Sequence, residues 1–185
     1  MKVFQLQGDA DRFAWITPSD EQANRFLINI LFDGSRMSSQ WRPLHVRRIR
    51  EGDNDKRPIG DFPILSGLPP VLSERAKQCL SSLWRGKCEF LPITSAFGTF
   101  YLLNVLNVID ALDKKKSHLR CFKEHIMQVH RHEFIAGAFK EDETLFKIPM
   151  PLYPVYVTEL TSMEIARCEL AGCTLTEVWR SAASE

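Results

Sequence analysis

The run Thr-Phe-Tyr-Leu-Leu-Asn-Val-Leu-Asn-Val-Ile-Asp-Ala-Leu-Asp-Lys-Lys-Lys-Ser, residues 99–117, decides how the rest of the chain is read. It is the longest stretch of large apolar side chains, broken by Asn104, Asn107 and Asp110 before it ends in Asp113 and the lysines. A strand with one wet face alternates, but here both parities are apolar. Phe100, Leu102, Leu106 and Val108 share one, and Tyr101, Leu103, Val105 and Ile109 the other. Such a segment is covered on both sides and therefore central. The polar positions Asn104, Asn107 and Asp110 have helical spacing. The expectation is a buried strand from about Phe100 to Val105, turning through a short helical piece that ends near Leu112. Asn104 and Asn107, once buried, need hydrogen-bond partners.

Around this stretch, 185 residues suffice for one well-filled core or two small lobes sharing a face. The expectation is a single domain over 1–185, with a strand-rich part at 1–62 and a helix and strand core at 63–180. With 24 basic and 23 acidic side chains the net charge is +1, so no global field steers the chain to nucleic acid or to an anionic membrane. Cys79, Cys88, Cys121, Cys168 and Cys173 are odd in number and contain no C-x-x-C pair. The N-terminus has no apolar region of signal-peptide length, and no run reaches the ~18 apolar residues of a spanning helix. These features point to a cytoplasmic protein whose reduced thiols act as small core hydrophobes.

Residues 1–7 and 13–16 read as short strands with a turn at Gly8 to Asp11. Ser19 and Gln22 have capping-box spacing for a short helix from Asp20 to about Phe26, and Arg25 to Phe32 reads as an apolar strand. Trp41 to Ile49 is a half-buried strand with arginines on its outer side. Residues 51–61 form a polar loop, the best candidate for mobility, and Phe62 to Pro70 a rigid connector. From Ser73, an N-cap, the period becomes helical through Ala76, Cys79, Leu80, Leu83 and Trp84, with Gly86 as the stop. Strands follow at Cys88 to Ile93, near Ile126 to Phe134, at Leu145 to Ile148 and at Val155 to Thr158. A last helix starts at a Thr161 and Glu164 capping box and stops at Gly172. Thr174 to Trp179 is the final strand, before a polar tail expected to fray.

One internal echo is visible. Pro70-Val71-Leu72-Ser73-Glu74 and Val155-Tyr156-Val157-Thr158-Glu159 each precede a helix and then a strand, with Cys88 and Phe90 matching Cys173 and Leu175. The pattern predicts an α+β fold, about two helices packed on a largely antiparallel sheet.

Three constellations could carry chemistry. His118, Cys121, His125, His130 and His132 are donors of zinc type, but their spacing matches no known zinc motif; solvent-facing or hydrogen-bonded core histidines explain them as well. Asp110 and Asp113 flank a turn where a general base or divalent cation could sit, or where the first pins the turn and the second pairs with lysines. Arg42, His45, Arg47, Arg48 and Arg50 suit a phosphate or an acidic protein surface, or serve as a charged edge strand that resists sheet-to-sheet pairing. Glu141, Asp142 and Glu143 read as a solvated loop. Nucleophile motifs and phosphate-binding glycine loops are absent.

The central run, ending Asn, then Asp-Ala-Leu-Asp, then Ser117, resembles the hallmark segment of immunity protein family eleven of bacterial polymorphic-toxin systems. Further matches occur in order: Phe32-Asp33-Gly34, Trp41 with Pro43, Asp61-Phe62, Pro70 to Arg75, Leu145 to Pro149, Val155 to Glu159, and Leu170-Ala171-Gly172. The resemblance implies a non-enzymatic cytoplasmic protein that binds and neutralises a cognate toxin domain encoded nearby, without cofactor, membrane or nucleic acid. Glu74, Asn104, Asp110, Asp113 and Ser117 match the pattern as fold determinants rather than catalytic residues. Contact residues belong on exposed loops and edges, where Trp41, Arg47, Arg48, Glu141, Asp142 and Glu143 are the candidates. The alternative is a small metal-binding or metal-dependent protein built on the 118–132 cluster. An exposed sheet edge leaves homodimerisation open.

Overall fold

In the computed structural model, residues 1–50, 52–65, 67–123, 125–150 and 154–181 are described, the side chain of Ile28 excepted. The expected frayed tail lies almost wholly outside them. The chain begins with β1 (Lys2–Gly8), β2 (Trp15–Pro18), α1 (Glu21–Ile28) and β3 (Leu44–Arg48). After a 3₁₀ turn, Gly52–Lys56, come β4 (Ile64–Leu65), β5 (Val71–Ser73), α2 (Glu74–Leu80), β6 (Cys88–Ser95) and β7 (Gly98–Val105). The remainder is β8 (His118–Phe122), β9 (His125–Arg131), a 3₁₀ turn at Ala136–Ala138, β10 (Leu145–Phe146), β11 (Val155–Thr158), α3 (Glu159–Arg167) and β12 (Cys173–Arg180). Among the described residues the strands form a six-stranded sheet, β4-β2-β3-β6-β7-β5, a four-stranded sheet, β10-β11-β1-β12, and the separate hairpin β8-β9. The fold is α+β, with antiparallel pairs predominating.

Strand β7 is covered on both faces. Its even positions Phe100 and Leu102 pack with Leu44, Val46, Leu91, Ile93 and Leu27 of α1. Its odd positions Leu103 and Val105 join a second cluster with Leu6, Leu72, Leu80, Trp84, Val157 and Ile165. The apolar parities of residues 100–105 thus serve two different cores. A third cluster, Val3, Phe146, Tyr156, Phe134 and Ile126, lies on the other face of the four-stranded sheet and carries the hairpin.

The internal echo is real in topology. Strands β5 and β6 both run antiparallel to β7 between them, so they are parallel to each other and joined across it by α2. Strands β11 and β12 flank β1 in the same way and are joined by α3. Each is a split β-α-β unit, because parallel strands need a crossover and the helix supplies it. Ser73 with Thr158, Ala76 with Thr161, Leu80 with Ile165 and Cys88 with Cys173 hold equivalent places. The helices meet where Trp84 Nε1 donates to Thr161 Oγ1 at 3.0 Å and Thr161 donates to the Thr144 carbonyl at 2.9 Å.

Several expectations change. Arg25 to Phe32 is not a strand: α1 runs to Ile28, and its side chains Ala23, Phe26 and Leu27 pack on the sheet face that carries Phe100 and Leu102. Asp20, not Ser19, caps it, accepting from the Ala23 amide at 2.8 Å. Helix α3 begins at Glu159; Thr161 is buried inside it rather than capping it, and the Thr158 hydroxyl donates to the Glu143 carbonyl instead of to a cap. Residues 106–112 form no helix; Val108 bridges to Lys147 and Leu112 to Phe134. Strand β3 is internal, between β2 and β6, so its arginines do not guard an edge. Cys121 is exposed, unlike the other four half-buried thiols.

The 51–61 loop is anchored rather than mobile over its described residues. Asn54 is buried, accepts from the Trp15 amide at 2.8 Å and donates to the Ile49 carbonyl. Asp61 accepts from Ser73 Oγ at 2.7 Å, from Arg75 Nη2 at 2.7 Å and from the Ala171 amide at 2.9 Å. Burial pushes its carboxyl upward, but hydrogen bonds from Arg75, Ala171 and Ser73 outweigh that and hold it below the usual carboxylate range. At the same junction Gly172, at φ +95°, brings its Cα so near Gly60 that an added Cβ would lie 3.1 Å from Gly60 Cα. Replacing Asp61 with Ala is expected to lower the unfolding free energy by about 2–3 kcal/mol, because a buried amide and hydroxyl lose a charged acceptor. Arg75→Ala, at a half-exposed partner, is expected to cost under about 1 kcal/mol. Urea denaturation of the two variants checks this order, and equal losses would contradict it.

Candidate protein-binding surface

The residues expected to contact a partner do not converge. Trp41 is half-buried, donates from Nε1 to the Pro92 carbonyl at 2.9 Å and leans on Phe26 at 5.8 Å. Arg47 is exposed on β3 opposite Thr17, while Nε and Nη2 of Arg48 are buried. Glu141 and Asp142 are exposed, but Glu143 is 3 % exposed and belongs to the interior. It accepts from Lys87 Nζ at 2.8 Å and Asn107 Nδ2 at 2.9 Å, which satisfies the expected need of Asn107. Only Arg47, Glu141 and Asp142 of the six offer free charge to solvent.

The positions taken as fold determinants act locally. Buried Asn104 donates to the Ser35 carbonyl at 2.9 Å and to Glu89 at 3.0 Å, docking the 35–38 segment on β6 and β7. Glu74 accepts from the Tyr101 hydroxyl, linking α2 to β7. Asp113 accepts from the Lys115 and Lys116 amides at 3.0 and 3.1 Å, and Ser117 Oγ accepts from the Glu133 amide at 3.0 Å. Together they fix the base of the β8-β9 hairpin. Asp110 is exposed and pairs with Lys114 at 3.7 Å, a contact worth little in water.

The histidine and cysteine positions are spread over that hairpin. His118 and His130 rings lie 5.1 Å apart, Cys121 and His125 are exposed, and His132 turns inward to share a 2.9 Å hydrogen bond with the Tyr156 hydroxyl. Among the described residues, no three His, Cys, Asp or Glu side chains converge as a metal ion requires.

The hairpin has a feature overlooked in the donor count. Lys114, Lys115, Lys116, Arg120, Lys123 and Arg131 lie in or beside it, with Glu124 the single acid among residues 114–131. All six are exposed. Counting charge in a short window, rather than over the whole balanced chain, would have found it. Its inner side, Leu119, Ile126 and Val129, packs on the third cluster, and two clefts open beside it. One, of about 610 Å³, runs between β1, the Phe62 to Val71 connector and Met127 to Val129, with His132 and Tyr156 in its wall. The other, of about 660 Å³, is lined by Leu31, Val108, Leu119 and Ile126 together with Asp33, Lys114, His125 and Lys147. Met150 lies in both. Leu31 is 73 % and Phe122, at the hairpin tip, 64 % exposed.

Residues 53–143, a little under half of the chain, match the family described as Immunity protein family (Imm11). That segment runs from the 3₁₀ turn through the first split β-α-β unit and the hairpin to Glu143, and it includes the stretch on which the resemblance was noted. The match supports an immunity role. The chain matches none of the curated proteins compared with it. No helix among the described residues is long and apolar enough to cross a membrane.

His132 makes stability depend on pH. Burial of the imidazole beside Tyr156 pushes its pKa from 6.5 down to about 4. Above pH 6.5 both folded and unfolded chains hold it neutral. As pH falls from 6.5 toward 4, only the unfolded chain takes up the proton, so the folded state is destabilised by up to roughly 3 kcal/mol. His132→Gln is expected to flatten the unfolding midpoint over this window relative to the unaltered chain. Parallel curves for the two proteins would refute that assignment.

Proposed function

We propose that this chain, through its Imm11-like segment, is an immunity protein that binds a cognate toxin domain in the cytoplasm and neutralises it by occlusion, without catalysis. The family match over residues 53–143 carries the proposal. The geometry is consistent with it. His132 shares a hydrogen bond with the Tyr156 hydroxyl, Asp113 accepts from backbone amides, and Asp110 is paired with Lys114. Exposed apolar side chains beside a charged rim resemble the make-up of a protein interface. A protector inside the cell needs tight binding, and ~nM affinity corresponds to about 12 kcal/mol. A standard interface reaches this with a few buried anchors, so no chemistry is required.

The test is growth rescue. The toxin domain encoded beside the gene is expressed in a sensitive host with and without this chain. Survival only in its presence, with the two proteins co-purifying at fixed stoichiometry, is the expected result. Continued killing with no complex would reject the proposal.

A further inference from the structure

The β8-β9 hairpin pairs with neither larger sheet. It is held by its base, through Asp113, Ser117 and Glu133, and by Leu119, Ile126 and Val129 on the third cluster. Its outer surface is cationic. Lys114 and Lys116 are offset by Asp110 and Asp113, each at 3.7 Å. Lys115, Arg120, Lys123 and Arg131 make no ion pair with a carboxylate among the described residues. These four charges lie on or beside the hairpin that carries exposed Phe122, and Leu119, Cys121, His125 and Ile126 of the same hairpin line the 660 Å³ cleft that holds exposed Leu31.

From this juxtaposition we infer that the hairpin and its Leu31 cleft are the docking site for the toxin domain, and that the toxin presents an acidic patch with an apolar side chain that enters the cleft. The inference rests on the immunity reading above and names the surface and the partner's chemistry. Unpaired cations at a rim raise the encounter rate with a carboxylate-rich surface, while the cleft and Phe122 supply apolar area that holds the complex. A nucleic acid would be served by the cations alone. The largely apolar cleft beside the hairpin, where Leu31, Val108, Leu119 and Ile126 stand with Asp33 and Lys147, has no role on a phosphate backbone and resembles the apolar core and polar rim of a protein interface. The hairpin also falls inside the family-matched segment.

The experiment is biolayer interferometry between the purified full chain and an active-site-inactivated form of the toxin domain encoded beside its gene. The double variant Arg120→Glu/Lys123→Glu is expected to associate about tenfold more slowly at low salt, with the difference shrinking as salt rises. Leu31→Asp is expected to raise the dissociation rate about tenfold. Both sites are exposed, and circular dichroism checks that the variants fold. Hydrogen exchange on the complex is expected to slow over residues 118–131. Variants that bind like the unaltered chain, with no slowing at the hairpin, overturn this docking site while leaving the immunity reading intact. No complex with the unaltered chain overturns both. Capture of a labelled DNA duplex as tight as that of the toxin domain, lost in the double variant, overturns the acidic-protein assignment.

Discussion

The carboxylate of Asp61 is where the two halves of the molecule meet. It takes hydrogen bonds from Ser73, which caps α2, from Arg75 within α2, and from the Ala171 amide in the turn between α3 and β12. Its own peptide group adds two more, donating to the Ala171 carbonyl at 2.7 Å and accepting from the Ser73 amide at 2.8 Å. A buried charge is tolerable only when so surrounded, and the donors come from both split β-α-β units. The Gly60 and Gly172 backbones touch because nothing larger would let Asp61 reach its partners.

Given that junction, the rest is packing. The two helices meet through Trp84 and Thr161, and with the facing sides of both sheets they enclose the cluster that contains Leu103 and Val105. A polar contact inside an apolar layer fixes relative position, since Trp84 Nε1 has to find an acceptor once buried. Glu143 does the same nearby for Lys87 and Asn107. These directional bonds leave the scaffold few alternative arrangements. The hairpin joins the core through its inner side chains Leu119, Ile126 and Val129, so its exposed positions can vary without disturbing the packing.

Much of this was readable in the residues. The two apolar parities of 100–105 correctly implied a central strand, because each parity meets its own core. The repeated lead-in, helix and strand that follow Pro70 to Glu74 and Val155 to Glu159 correctly implied an α+β arrangement. What failed did so for physical reasons. Arg25 to Phe32 is short and apolar, a composition that fits a buried strand and a packed helix equally, and tertiary contact decided for helix. Thr161 stands three residues before Glu164 like a cap, but its hydroxyl is claimed by Trp84 and Thr144 from distant segments. Glu143 looked solvated because Lys87 and Asn107 are remote in sequence. The cationic hairpin is hidden in the near-neutral total, because acids elsewhere in the chain cancel its local excess.

The placement of β1 bears on when the four-stranded sheet can form. Strand β1 is interior to that sheet, and both of its neighbours, β11 and β12, are remote from it in sequence and are made long after it. The first unit, from β5 to β7, closes on itself from contiguous chain, whereas β1 has two bare edges until β11 and β12 have been made. A product truncated before β11 leaves an unpaired strand for chaperones or proteases to deal with.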